Sequence, residues 1–162
     1  MKLAAAVLLL AATPSTNSPT SIDLLLGTPK HATLNGVRLD YDGKEALIVR
    51  AKRGAFRLSA KPPAQVRISR NRTFIVHNFG NGSGQVYDFR VYAVRTGQAF
   101  TVSKFKKHVL KFARAHACRA SPDQISYLVE RWLSPTSLLI RTEDWTRRGC
   151  NHLNRNWTLT LS

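Results

Sequence analysis

Cys118 and Cys150 are the two cysteines of this chain, and the stretch they bracket constrains its fold more than any other. Between them lie a strand-like run over residues 127–133, a Ser-Pro-Thr-Ser turn, a second apolar run over 138–140, and Trp145 as a cap. Two cysteines around a hairpin predict one disulfide. Closing such a loop restricts the unfolded chain, by roughly 3–4 kcal/mol on the chain-entropy account. A second reading adds His116 and His152 to the cysteines, a Cys2His2 set of the kind that holds zinc. The spacing speaks against it. His116 and Cys118 are two apart at a helix end, where such residues do not share a face, and no Cys-x-x-Cys occurs. Free thiols are the third alternative.

A disulfide implies an oxidising compartment, and the start of the chain agrees. Met1-Lys2 precedes a run of Leu, Ala and Val to Ala12, and small polar residues follow to Ser18. That order reads as a signal peptide over 1–18, cut after Ala12, Ser15 or Ser18. The apolar run is too short to span a bilayer, and no later segment is long enough. Residues 22–162 are the size of one domain. The expected location is periplasmic or secreted.

Charge then narrows the partner. Lys and Arg number 25 against nine acids, a net +16. Such a surface attracts polyanions: acidic polysaccharide, anionic lipid, an acidic protein or nucleic acid. Export makes cytoplasmic nucleic acid the wrong partner and leaves envelope polymers, acidic proteins and peripheral membrane contact. Solubility alone also accounts for high net charge.

From Val37 onward the pattern is period two, which predicts antiparallel strands. Val37, Leu39 and Tyr41 alternate with polar residues, Asp42-Gly43 turns the chain, and residues 47–49 resume. Gly54 is expected to bend this strand before Phe56 and Leu58. Residues 39–49, 68–76 and 133–140 share one form: an apolar residue, a polar turn, an apolar triplet. That form resembles the inner hairpin of β-propeller blades. The chain is too short for a closed propeller, so the expectation is three hairpins of one meander. Residues 78–84 are rich in Gly and Asn. No Gly-Lys-Ser/Thr follows, so this is no P-loop. It reads as a surface hairpin loop that buries little, with Asn78 and Asn81 as candidate binding residues. The chain closes on a strand with Trp157, Leu159 and Leu161 on one face.

One helix signal stands out, with Ser103 as its expected N-cap. Phe105, Val109, Phe112 and His116 fall on one face. Lys104, Lys107, Lys111 and Arg114 fall on another, while Lys106 and His108 lie off that stripe. The apolar stripe is narrow for membrane insertion, so it is expected to pack on the sheet and leave the basic face outside.

Catalytic motifs are missing. There is no His-Glu-x-x-His, Gly-x-Ser-x-Gly or Walker motif, and no metal or cofactor is implied. His77 and Asp88 are candidates for an acid–base pair, and the three Trp are read as core. The sequence therefore predicts an α+β domain: an antiparallel meander of hairpins, one main amphipathic helix, one disulfide. Its expected role is non-catalytic, binding an anionic envelope polymer or an acidic protein, as an inhibitor or immunity-type protein does. A small envelope-polymer hydrolase and a structural envelope protein are the alternatives.

Overall fold

The computed structural model describes residues 20–80, 87–118, 121–144 and 150–161. The signal-peptide stretch, Asn81 and Trp145 lie outside them. The architecture is α+β, with antiparallel sheets, one α-helix and a Cys118–Cys150 disulfide.

Strands β1 (Ser21–Leu24), β6 (Ala64–Ile68), β7 (Phe74–Gly80), β8 (Tyr87–Ala93) and β9 (Ala99–Phe100) form a five-stranded central sheet in that order. Strands β2 (Lys30–Leu34), β3 (Val37–Tyr41), β4 (Ala46–Ala51) and β5 (Gly54–Ser59) form a four-stranded meander. Strands β10 (Ile125–Trp132), β11 (Ser137–Asp144) and β12 (Arg155–Thr160) form a three-stranded one. The single meander expected from the repeated hairpin form is thus corrected: its three hairpins fall in three different sheets. The form sets local pairing only. Which sheet a hairpin joins depends on which of its faces is apolar, and the central sheet has two apolar faces.

Strand β7 shows this directly. Residues 74–78 are all buried. Ile75 joins one core with Leu39, Leu47, Val49 and Val66, against the four-stranded sheet. Phe74 and Val76 join another with Phe89, Val109, Val129 and Ile140, against helix α1 (Ser103–Ala115) and the three-stranded sheet. A strand covered on both faces has no solvent face to alternate with, so Phe74, Ile75 and Val76 are apolar in succession, and the polar His77 and Asn78 that follow are buried too.

Asn35-Gly36 joins β2 to β3 with φ of 48° and 75°. Two left-handed residues in succession make the tight hairpin turn that Asn-Gly favours. Gly54 does not bend a continuing strand. It opens β5, pairs with Ala51, and so completes a β4–β5 hairpin. At the Asp42-Gly43 turn, Asp42 Oδ1 accepts from the backbone N–H groups of Lys44, Glu45 and Ala46 at 2.8, 3.0 and 3.0 Å. Those three donors favour the carboxylate and pull the Asp42 pKa down.

Helix α1 ends in a reversal that its sequence does not advertise. Ala117 has φ 56°. Its N–H bonds to Arg114 O at 3.1 Å, and the N–H of Cys118 bonds to Ala113 O at 3.0 Å. This is a Schellman ending, with alanine where glycine is usual. Cys118 is bonded to Cys150, with Cα atoms 5.3 Å apart. The disulfide therefore ties the helix end to the β11–β12 connection. No helix among the described residues is long and apolar enough to cross a membrane.

Candidate functional site

Helix α1 buries Phe105, Val109 and Ala113. The ring of Phe105 meets Phe89, Tyr127 and Trp157 edge-on, at 6.2, 6.2 and 6.4 Å between centroids. One apolar ridge thus docks on β8, β10 and β12 at once. Of the predicted apolar face, Phe112 is half-buried and His116 exposed. Ala113 takes the third buried position, four residues on from Val109 on the same face, and the Phe112 ring lies against Trp157 at 5.2 Å.

With that face fixed inward, Lys104, Lys107, Lys111 and Arg114 all face solvent. Their spacing sets them along roughly 15 Å of helix, at 1.5 Å rise per residue. Among the described residues none of the four is in an ion pair. Nor do they serve the helix uniformly. Its first turn has no acid, and Lys104 there opposes the positive end of the helix dipole. Ser103 is not the N-cap. Val102 is, and no side chain caps this end. Arg114, in the last turn, has the favourable sign.

A ledge that sequence reasoning missed lies beside the stripe. Arg155 on β12 sits over the rings of Phe112 and Trp157, at 4.7 and 4.9 Å from their centroids. His108 meets Trp157 edge-on at 5.7 Å, and Trp157 Nε1 donates to Thr142 Oγ1 at 2.8 Å. Arg155 and Trp157 are two apart in a strand and so share a face. That spacing was the available signal, and it pointed to core because Leu159 and Leu161 continue it.

On the other flank, Lys106 leaves the stripe and turns to Asp88, with Nζ 2.5 and 2.6 Å from the two carboxylate oxygens. The same ammonium lies 5.3 Å from the Tyr127 ring centroid. Burial, with the Asp88 charge added, pushes the Tyr127 hydroxyl up to about 12. A cavity of about 570 Å³ opens here, lined by Lys106, Lys107, Leu110, Asp88 and Tyr127 among others.

The remaining candidates part company. Asp88 is held by Lys106, and its Oδ1 also accepts from the N–H of Phe89 at 2.7 Å. His77 is buried, and neither ring nitrogen has a hydrogen-bond partner. Burial, and then the neighbouring Arg90 charge, lower its pKa to about 4. No hydrogen bond joins His77 to Asp88, so the geometry lacks the acid–base pair that the sequence suggested.

Asn78 is not a loop residue. It lies in β7, is 1% exposed, and its side-chain amide reaches across to β10. Nδ2 donates to Val129 O at 2.8 Å, and Val129 N–H donates to Oδ1 at 3.1 Å. The amide acts as a short piece of strand that closes the outer edge of β10. The expectation of one dispensable loop over 78–84 is corrected to that extent: residues 78–80 belong to β7, paired with β6 through Phe79 and with β8 through Gly80.

His116 and His152 do come together, with rings 5.0 Å apart. Their cysteine neighbours are spent on the disulfide. Among the described residues no group of three or more His, Cys, Asp and Glu is placed to hold a metal ion.

Compared with family models, with curated proteins and with solved structures, the chain matches none.

Proposed function

We propose that this protein is a non-catalytic binding protein that holds an anionic partner on the exposed basic face of α1. The observation that carries the reading is the stripe itself: four cations along one helix face, all exposed, on a helix whose own sequence holds no acid. A solvated face kept only for solubility gains from interspersed acids and from a first turn matched to the dipole. This face has neither. The Arg155–Trp157–Phe112 ledge widens the surface with stacked apolar area next to charge. An acidic polymer of the cell envelope presents that combination, with charged groups at intervals along a sugar backbone. The disulfide supports an oxidising, extracytoplasmic setting.

Retention on immobilised heparin and on lipopolysaccharide, followed as salt rises, tests this. Binding by counterion release weakens steeply with salt. Changing Lys104, Lys107, Lys111 and Arg114 together to Gln keeps helix propensity and lowers the eluting salt strongly. The control changes Lys52, Arg53, Arg70 and Arg95, four exposed cations on turns away from α1. Equal elution of the two variants reduces the stripe to net charge. Elution of both with the wild type removes the polyanion reading altogether.

A further inference from the structure

A second cleft, of about 610 Å³, opens between β1–β6 of the central sheet and β10–β11 of the three-stranded one. It lies beyond the Asn78 clamp, where the two sheets diverge, and it shares no residue with α1. Its size is that of a site for a small organic ligand.

Arg67 lines this cleft. On β6 it is half-buried, and its hydrogen bonding is poor. Nε donates to Gln65 Oε1 at 3.0 Å, and among the described residues no other bond reaches the guanidinium. Two acids line the same cleft, yet neither is paired with it. Asp23 Oδ1 accepts from Gln65 Nε2 at 2.8 Å. Glu130 is 3.5 Å from Arg141, which also holds Glu143 at 3.1 Å. The row Arg67–Gln65–Asp23 therefore fixes the guanidinium by its Nε and leaves the fork of Nη nitrogens free. Burial works against its charge and lowers its pKa, with Asp23 and Glu130 opposing from a distance. A partly desolvated cation whose four Nη–H donors have no protein partner among the described residues presents its fork to the cleft, in the planar geometry that suits a carboxylate. Apolar surface sits beside it: Leu25, 58% exposed, Pro63 and Leu128 line the same cleft.

We propose that this cleft is a second binding site, which takes a short zwitterionic peptide by its carboxylate on the Arg67 fork. The planar fork receives a carboxylate through two parallel bonds. The open oxygen of Asp23 supplies the acceptor for an ammonium, and Leu25, Pro63 and Leu128 supply the apolar walls. Charge complementarity selects this occupant: two cations and two acids line the cleft, so a ligand with charge of one sign meets repulsion from one pair. A peptide with free ends does not. The site stands independently of the reading of α1.

Titration of the full ¹⁵N-labelled chain with trialanine tests it, with trialanine amide and N-acetyl-trialanine as the two blocked arms. Trialanine should saturate with a Kd of about 1 mM or tighter, shifting the Gln65 side-chain amide and the Leu128 backbone amide. Loss of the carboxylate in the amide arm should weaken binding at least tenfold; the acetyl arm should weaken it less. Arg67→Met should weaken trialanine binding at least tenfold and leave the thermal midpoint unchanged or raised. Arg67→Lys, which keeps the charge without the fork, should fall between Met and wild type. The four-Gln helix variant should bind trialanine like wild type. No saturation by about 10 mM, equal binding of the amide arm, or undiminished binding by Arg67→Met overturns the proposal. So does an Arg67→Met chain that fails to fold or melts more than about 5 °C lower, since Arg67 is then a strut.

Discussion

The two faces of the central sheet are covered by different means. Against the four-stranded sheet the core is mainly aliphatic, built from Leu, Val and Ile with Tyr41 and Tyr92. Its strands β2 to β5 follow one another in sequence, joined by tight turns. Against α1 and the three-stranded sheet the core mixes Val, Ile and Leu with aromatic rings, Phe74, Phe89, Phe105 and Tyr127, with Trp132 and Trp157 at its rim. Its elements meet across long separations, Asn78 with Val129 being 51 residues apart. Local contacts close cheaply because short loops cost little entropy; distant ones need a device that offsets the closure. The second face has two, the disulfide and the Asn78 clamp. The stripe, the ledge and the Arg67 cleft border this same half. The meander with local closures fixes the frame, and the half with added fastenings carries the helix stripe.

Reduction of the disulfide separates the halves most strongly. With both cysteines replaced by Ser, unfolding in denaturant should show a loss of roughly 3–4 kcal/mol. Native-state hydrogen exchange should place the loss in α1 and β10–β12, while amides of β3 and β4 keep their protection. A uniform loss across both halves would mean that they unfold as one unit.

Acid should find the boundary between the halves. His77 stands on the central sheet, its pKa lowered to about 4 by burial and by Arg90, against about 6.5 in the unfolded chain. The unfolded state binds the extra proton between these values, so stability is full above about 6.5 and falls as pH drops to about 4. The fall amounts to roughly 3 kcal/mol at 1.36 kcal/mol per pKa unit. His77→Leu should flatten the slope over that window. A slope that survives the substitution assigns it to other groups.

Asn78→Ala should cost roughly 2–3 kcal/mol, because it strands the N–H and C=O of Val129 in a buried place. Asn78→Asp keeps the acceptor, loses the donor and adds a buried charge, and should cost at least as much. If Asn78→Ala unfolds at the wild-type midpoint, water replaces the clamp and the two sheets do not depend on it.

What the sequence made legible follows the same division. The period-two strands, the helix and the disulfide all carry local signals, and all appear in the fold. Asn35-Gly36 is an equally local signal, the strongest that a two-residue hairpin has, but β2 before it has no clean alternation, since Lys30, His31 and Thr33 are exposed and only Leu34 is buried. The partition into three sheets was not legible, since a hairpin form such as that of residues 68–76 does not state what covers its second face. Asn78 was misread for a related reason. Beside glycines an asparagine looks like loop, and only the approach of β10 shows its amide doing the work of a strand. Ala117 gave no helix-stop signal because the left-handed residue is not glycine. Arg67 looked like any surface cation of a strand until β10 and β11 were placed above it.

Lys106 and Lys107 offer the finest comparison, two adjacent lysines of one helix with opposite surroundings. Lys106 is taken by Asp88 and two aromatic rings; Lys107 has no ion pair among the described residues and points outward. The Lys106 pair is partly exposed, with side chains at 30% and 38%, so solvent screens it and its worth is that of a surface pair, about 0.5–1 kcal/mol with the ring contacts included. Lys106→Gln should therefore lower stability by that amount. It also releases Asp88, whose charge then stands next to the stripe. Lys107→Gln should leave stability unchanged and lower the salt needed for elution from heparin. Equal retention of the two variants would show that the column reads total charge, since each removes one cation. Later elution of Lys107→Gln than of Lys106→Gln would move the binding surface off the stripe and onto the cavity beside Tyr127.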